Sequence, residues 1–154
     1  SLSFRKQPHL LVEALSALRK RGVDASLAFL GDGPLHAQVK NLVKDRGLQD
    51  VVELYGHLSD PYPILAQADV LVLPSLSEGI PRAGLEALFL GVPCVLRATD
   101  GNGELIQSGD NGVLFEDNAE LADAMLEAVK ISRRVKDRRS LLPLVYRCKI
   151  TRIF

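Results

Sequence analysis

The sequence predicts an α/β fold in which a Rossmann-like, doubly wound parallel sheet carries helices on both faces. Short apolar runs without polar alternation recur along the chain, as is typical of parallel strands that are covered on both sides. Amphipathic helical segments separate these runs, and Gly or Pro marks most of the boundaries. This alternation favours βαβ units and one parallel sheet of about five or six strands.

Length and charge limit the possible functions. A chain of 154 residues is long enough for one domain with a full core, and too short for two Rossmann-like domains. Hydrophobic residues make up 47% and charged residues 25%, which argues against disorder. Lys and Arg number 19, as do Asp and Glu, so no overall positive field favours nucleic acid.

The C-terminal segment differs in charge from the rest of the chain. Residues 131–154 hold eight Lys or Arg and one Asp, which leaves an acidic body over residues 1–130. We therefore predict a domain at residues 1–130 and a basic tail at 131–154. Three interpretations of the tail remain open: a membrane-surface segment, a contact for an acidic partner, or a tail without selected function. Basic runs are most often solvated, which favours the third.

Cysteine usage and hydropathy indicate the compartment. Cys94 and Cys148 are far apart and match neither a metal-ligand spacing nor a disulfide framework, so a reducing compartment fits. No apolar stretch approaches the length of about 20 residues that a spanning helix needs, and the N-terminus lacks a signal-peptide pattern. We predict a cytoplasmic protein that is soluble or at most peripheral at a membrane, and no metal.

The first half of the chain reads as two helices and two strands. Residues 8–20 form an amphipathic helix that stops at Gly22, and no strand precedes it, so we expect the chain to begin just after its first strand. Residues 25–30 form a strand, followed by a Gly-Asp-Gly-Pro turn and a helix that ends at Gly47. His36 stands where a dinucleotide fingerprint needs its third glycine, and residues 51–55 form the next strand.

The second half continues the alternation. A short helix over residues 61–68 leads to a strand at 70–73, a polar loop, and a helix from Pro81 to about Leu90. Another strand at 94–98 precedes a short helix at 104–107, a turn at 109–112 and a strand at 113–115. Asn118 is expected to cap the last helix, whose core stripe comprises Leu121, Ala124, Met125, Ala128 and Val129.

The helix that starts near Pro81 is the candidate ligand site. It follows the carboxyl end of a strand, where open α/β sheets bind anions at helix N-termini. Seven residues separate Glu78 in the loop from Glu86 in the helix, and Glu86 is the only charge in the helix after Arg82. Helical side chains tilt toward the N-terminus, so Glu86 can reach the hydroxyls of a ligand whose phosphates lie at the helix start. A core helix with one glutamate at its edge is the alternative.

These residues resemble a known family. Ser77-Glu-Gly-Ile-Pro-Arg-Ala-Gly-Leu-Glu-Ala-Leu88, followed by Gly91-Val-Pro-Cys94, is similar to the E-x7-E signature of the group 1 retaining glycosyltransferases, which have the two-domain GT-B fold. Four further elements resemble the family's in the same order, over roughly residues 2 to 130: Lys6-Gln-Pro its "K-G" element, Phe29-Leu-Gly-Asp-Gly-Pro34 its G-x-G-P, Val51-Val-Glu-Leu-Tyr-Gly56 its strand before the base-binding loop, and Asn111-Gly-Val-Leu-Phe115 its "N-G-x-L" turn.

The resemblance is to the family's C-terminal, nucleotide-sugar-binding domain, one half of a GT-B fold, and it implies roles for individual residues. Lys6 matches the lysine that binds the donor pyrophosphate, although Ser1 stands where the family has a companion arginine. Glu78 matches the carboxylate that orients the donor sugar, and it is our candidate catalytic residue. The remaining predicted substrate-binding residues are His57 and Leu58, by position in the base-binding loop, and Gly79, Ile80, Pro81, Arg82 and Glu86 at the helix. Gly101-Asn-Gly103-Glu104 keeps part of the family's "G-G-x-x-E" loop.

Two hypotheses from different classes follow. In the first, the chain binds a UDP- or GDP-sugar for retaining transfer to an acceptor held by an N-terminal domain absent from this chain, which alone is then inactive. The nucleotide-sugar is a substrate, and no cofactor is expected. In the second, the chain is a non-catalytic nucleotide-binding or interaction module with the same fold. A nucleotide titration separates both from an inert fold, and a turnover assay with the missing domain supplied separates the two.

Overall fold

The computed structural model describes residues 1–99 and 101–134. Within them the strands are β1 (Leu27–Phe29), β2 (Val52–Leu54), β3 (Leu71–Leu73), β4 (Cys94–Arg97) and β5 (Gly112–Phe115). The helices are α1 (Pro8–Lys20), α2 (His36–Asp45), α3 (Tyr62–Leu65), α4 (Arg82–Phe89), α5 (Asn102–Leu105) and α6 (Leu121–Arg134), with 3-10 turns at Phe4–Lys6 and Asn118–Glu120. In the described part of the chain, no helix has the length and hydropathy to span a membrane.

All strand pairs between these elements are parallel, and they form two ladders. β1 pairs with β2, with Leu27 opposite Val52. β4 lies between β3 and β5, with Cys94 opposite both Leu71 and Gly112. The α/β class and the number of strands agree with the prediction. Periodicity carries no information on which strands pair, so the division into two ladders comes from the structure alone.

The first compact unit comprises residues 1–61 and 74–76. Its helix α1 packs on β1 and α2, and the side chains of Leu15, Leu18 and Val39 are buried between these elements. The Arg46 guanidinium makes two hydrogen bonds to the Glu13 carboxylate, at 2.8 and 3.1 Å, which ties α1 to the end of α2. This bidentate pair raises the pKa of Arg46 above its usual value.

Gln7, which precedes α1, has an unusual backbone conformation. Its φ of 50° makes it the only non-glycine residue with positive φ among those described. A side chain in the left-handed region costs about 1 kcal/mol or more, which explains why the resembling "K-G" element has glycine at this position. The Gln7 side chain offsets part of this cost, because its Nε2 donates a 2.6 Å hydrogen bond to the Phe4 carbonyl.

The second compact unit comprises residues 62–73 and the described residues from 77 onward. Its helix α4 packs on β3 and β4, and α6 packs on β4 and β5. Cys94, Val95 and Leu96 are completely buried, whereas Leu71, Val72 and Leu73 are only half-buried. The prediction that the strand at 70–73 is fully covered is therefore wrong. In the described ladder β4 is paired on both sides, whereas β3 and β5 are each paired on one, so β3 is an edge strand of that ladder.

Several element boundaries differ from those predicted. Pro81 is the N-cap of α4, with an extended ψ of 115°, so the helix begins at Arg82. Asp117, and not Asn118, caps the last helical segment, because the Asp117 side chain accepts from the Ala119 N–H in a capping box with Glu120. Asn118 instead accepts a 2.6 Å hydrogen bond from Arg97.

The last helix passes the domain boundary that we predicted after residue 130. α6 continues to Arg134, and Ile131 and Ser132 are buried. Arg134 donates a 2.7 Å hydrogen bond to the Gly109 carbonyl, so this final turn is attached to the second unit. The prediction of a basic tail concerns mainly residues 135–154, which lie outside the described part of the chain, as does Cys148.

Candidate functional site

The start of α4 presents a set of N–H groups to the loop that precedes it. The Leu85 N–H donates to the Pro81 carbonyl at 3.1 Å, which is the first hydrogen bond of the helix. The N–H groups of Arg82, Ala83 and Gly84 precede that bond, and helix geometry gives them no acceptor inside the helix. Because Pro81 lies outside the helix, its missing N–H removes none of these donors.

The loop before α4 combines a buried carboxylate with an open backbone. Glu78 is only 9% exposed, whereas Gly79, Ile80 and Arg82 are exposed. A Cβ atom placed on Gly79 would meet nothing within 4 Å. An anionic ligand can therefore approach the backbone at Gly79. The preceding residue, Glu78, is buried.

The loop that follows β4 packs on the loop before α4. A Cβ on Gly101 would lie 3.4 Å from the Gly79 carbonyl and from the Ile80 side chain. Asn102, which is 1% exposed, fixes this second loop by donating from Nδ2 to the Arg97 carbonyl at 2.8 Å. Its Oδ1 is buried and has no hydrogen-bond partner in the described structure. No role is predicted for Asn102 from the sequence, because its position in a partly matched loop is the only signal.

Glu86 has a protein partner that the sequence did not reveal. It lies four residues after Arg82 on α4, which places both side chains on one face of the helix. The Tyr62 hydroxyl, on α3, donates to Glu86 Oε1 at 3.3 Å. Glu86 is half-buried and Tyr62 is 46% exposed, so this pair faces solvent. The alternative of a core helix with one glutamate at its edge stays open, because α4 buries Gly84, Ala87 and Leu88 while Glu86 is half-buried.

The other predicted site residues belong to the first unit. Lys6 lies in the 3-10 turn Phe4–Lys6 and is half-buried. His57 is exposed and Leu58 half-buried, directly after Gly56. The Gly31 N–H donates to the Gly56 carbonyl at 2.8 Å, which holds the loops after β1 and β2 together. The structure therefore brings Gly31 close to the predicted base-binding loop.

Gly33 is required by packing in this first unit. A Cβ there would overlap the backbone oxygen of Leu2, and would also lie 2.8 Å from the Leu2 nitrogen. The Leu2 backbone is fixed by hydrogen bonds from the Leu35 N–H and to the Asp32 carbonyl, both 3.0 Å long. The second glycine of G-x-G-P thus allows the residues before α1 to lie against this turn.

The described residues contain no group of three or more His, Cys, Asp or Glu side chains arranged to hold a metal ion. Cys94 is a free, fully buried thiol, and its burial raises the pKa well above the usual value for cysteine. Its Sγ contacts the Gly84 carbonyl at 3.6 Å, so it packs beneath α4 as a small core residue.

Comparison with protein families gives a match over most of the chain. The model for the glycosyl transferases group 1 family matches residues 1–141. The putative colanic acid biosynthesis glycosyltransferase WcaL of Salmonella typhimurium is 34% identical over 125 residues, which are 76% of this chain and 31% of that protein. A GDP-mannose-dependent phosphatidylinositol dimannoside mannosyltransferase of Mycobacterium tuberculosis is 35% identical over 143 residues, 90% of this chain and 35% of that one. The chain spans about a third of the length of these relatives.

Solved structures give the same fold. Anabaena HepE, crystallised with UDP and glucose, matches with a TM-score of 0.75 and 22% identity over 99% of this chain and 45% of its own. Staphylococcus aureus TarM, in a complex that includes UDP, matches with a TM-score of 0.83 and 23% identity over 98% of this chain and 30% of its own. At this identity the likeness concerns the fold, and it confirms the predicted Rossmann-like half of a GT-B architecture.

Proposed function

The chain belongs to the group 1 glycosyl transferases, and from this membership we propose that it binds the nucleoside diphosphate of a UDP- or GDP-sugar for retaining transfer to an acceptor held by another domain. One observation carries the proposal: the exposed backbone at Gly79 leads directly into the N–H groups at the start of α4, with the buried Glu78 carboxylate beside it. HepE is solved with UDP, and the mycobacterial relative is named GDP-mannose-dependent. The proposal therefore includes both uracil and guanine as the base of the donor.

The proposed chemistry is mainly electrostatic. When the bond from the sugar to the diphosphate breaks, negative charge grows on the departing phosphate oxygens. The N–H groups of Arg82, Ala83 and Gly84 and the Arg82 guanidinium stabilise this charge, because helix N-termini favour anions. Glu78 orients the donor sugar by accepting hydrogen bonds from its hydroxyls. Lys6 contributes a further positive charge to the diphosphate.

The recognition of the nucleoside is divided between two sets of residues. His57 and Leu58 are proposed to line the base through main-chain atoms, and Glu86 to accept hydrogen bonds from the ribose. Glu86 is suited to this role because it is half-buried, lies one turn beyond Arg82 and has one long hydrogen bond, at 3.3 Å, from an exposed hydroxyl. The nucleotide-sugar is the substrate, no metal enters the proposal, and a cytoplasmic or membrane-peripheral location stays a prediction.

A titration of the chain with UDP and with GDP tests the proposal. Ser1 stands in the place of the family arginine, and this titration is carried out on residues 1–154 without any other domain to close over the nucleotide. We therefore expect a dissociation constant of about 0.1 to 1 mM, which corresponds to about 4 to 5.5 kcal/mol. The absence of binding for both nucleotides at concentrations of several millimolar would contradict the proposal.

Replacing Glu86 by Gln is expected to lower UDP affinity about tenfold, equivalent to about 1.4 kcal/mol, because the acceptor loses its charge. Glu86→Leu should lower it further. Stability should change by no more than about 0.5 kcal/mol in either variant, since the Tyr62 hydroxyl is exposed enough to bond water. Denaturant midpoints and affinities are measured on the same samples. Marked destabilisation with unchanged affinity per folded molecule would assign Glu86 a structural role.

The second hypothesis, a non-catalytic nucleotide-binding or interaction module with the same fold, is supported by Ser1, which stands where the family has a companion arginine for the diphosphate. The two hypotheses predict the same nucleotide titration. They differ in turnover once an acceptor domain is supplied, for example by fusing the corresponding part of a relative to residue 1. Sugar release or transfer that depends on Glu78 supports the enzyme, and nucleotide binding without turnover in several such fusions supports the module.

A further inference from the structure

We infer that Tyr62 is a positioning residue for the donor: its hydroxyl holds the Glu86 carboxylate in the orientation that accepts a nucleotide ribose. This inference rests on the proposed function, because it concerns how the same site selects its ligand. Tyr62 belongs to no part of the E-x7-E pattern, and the sequence offered no reason to connect it with Glu86, which follows 24 residues later.

The contact is formed by two elements of the second unit. Tyr62 is the first residue of α3, and Glu86 lies in the second turn of α4. The Tyr62 O–H donates to Oε1 at 3.3 Å. A carboxylate has about four acceptor positions on its two oxygens, so one phenol leaves capacity for the hydroxyls of a ligand. The pair is solvent-facing, since Tyr62 is 46% exposed and Glu86 half-buried.

The backbone around Tyr62 is restrained more than that of an ordinary four-residue helix. Pro61 has a fixed φ of its own, and Pro63 limits the backbone conformations that are open to Tyr62. The Ala66 N–H donates to the Tyr62 carbonyl at 2.8 Å, and Leu65, three residues later, is 6% exposed. The phenol has only two rotatable side-chain bonds. The hydroxyl therefore reaches α4 from an anchored backbone and with few side-chain rotamers.

Restraint of Glu86 has a consequence for affinity. A free glutamate loses side-chain entropy when it is immobilised on a ligand. The hydrogen bond from Tyr62 orders the Glu86 side chain in part before the ligand binds. Tyr62 thereby increases affinity without contacting the ligand itself. A site organised around an acceptor also discriminates strongly against a ligand that lacks the matching hydroxyl. Tyr62 should therefore affect ribose recognition and not general binding.

The test is a titration of the chain with UDP and with 2′,3′-dideoxyuridine diphosphate, on wild type, Tyr62→Phe, Glu86→Gln and the double variant. We expect Tyr62→Phe to weaken UDP binding three- to fivefold and to leave the dideoxy compound unchanged. The double variant should bind UDP no more weakly than Glu86→Gln, because Tyr62 acts through Glu86. A purely structural role would weaken both ligands equally.

Tyr55→Phe is the matched control. Tyr55 is 41% exposed, and its hydroxyl also pairs with a glutamate, Glu53. Removal of the Tyr55 hydroxyl should leave both the UDP affinity and the melting temperature unchanged. The melting temperature of Tyr62→Phe should also be unchanged. If wild type binds UDP and Tyr62→Phe binds it equally well, or loses both ligands equally, the role of Tyr62 is refuted while the proposed function stands. If wild type binds neither UDP nor GDP, both are refuted.

Discussion

Gly112→Ala is expected to destabilise the protein by about 3 kcal/mol or more, enough to leave much of it unfolded. Gly112 begins β5 opposite Cys94 of β4. A Cβ at this position would overlap the Cys94 carbonyl oxygen and lie 3.0 Å from the Ile106 side chain. Cys94 cannot yield, because it is completely buried and its strand is held on its other side by β3. The strain therefore falls on the centre of the three-stranded ladder.

The control for this prediction is Gly103→Ala. Gly103 lies within α5, and a Cβ there would meet nothing within 4 Å. Alanine should stabilise this site by about 0.5 to 1 kcal/mol, because glycine costs more conformational entropy in a helix. Urea unfolding midpoints of the two variants are compared with that of the wild type. A Gly112→Ala protein with a wild-type midpoint would contradict the tight approach of β4 and β5.

Arg82→Glu is expected to reduce UDP affinity about thirtyfold, equivalent to about 2 kcal/mol, while it stabilises the fold slightly. The substitution replaces a positive charge by a negative one at the first residue of α4, beside the proposed diphosphate. The same carboxylate interacts favourably with the helix dipole, for which about 0.3 to 1 kcal/mol is expected. Binding and stability therefore move in opposite directions, which damage to the fold cannot produce.

The control is Arg133→Glu, which changes the net charge equally at an exposed position in the last turn of α6. It should leave UDP affinity nearly unchanged. The difference between the two variants should shrink as salt rises from 50 to about 500 mM, because screening weakens the attraction between the guanidinium and the phosphates. Equal affinity losses in both variants would show a general charge effect and no diphosphate at the start of α4.

The sequence was sufficient for the order and type of the elements. Apolar runs bounded by Gly and Pro located all five described strands, and the helix from residue 8 to 20 was predicted with its observed bounds. These signals are local, so they can be recognised without knowing which elements pack against each other. The predicted boundaries are less accurate where side-chain hydrogen bonds fix them. Asp117 and Asn118 are both good N-cap residues, and only the structure shows that the Asn118 side chain accepts a hydrogen bond from Arg97.

The candidate site was predictable in part, for a related reason. Glu78, Arg82 and Glu86 are spaced along one loop and helix, so their proximity follows from local geometry. The Tyr62 to Glu86 hydrogen bond and the packing of Gly101 on Gly79 join segments that are distant in sequence, and no periodicity encodes them.

The glycine of the "N-G" turn has a second role that the sequence does not indicate, because it is needed for contact with β4. The Asn111 side chain donates to the Leu105 carbonyl at 3.0 Å, and its Oδ1 accepts from the Gln107 N–H at 2.8 Å. These bonds fix the approach to β5, where Gly112 lies against Cys94. The predicted turn is present at residues 109–111, and Gly112 follows it without a positive φ, so glycine is required there by the close approach of the two backbones.

The position of the diphosphate in crystals of this chain soaked with UDP tests the central claim most directly. The account predicts phosphate oxygens within about 3 Å of the N–H groups at Arg82, Ala83 or Gly84, with the ribose hydroxyls directed to Glu86. A diphosphate bound at Gly31 to Gly33, with none near Gly79, would contradict it.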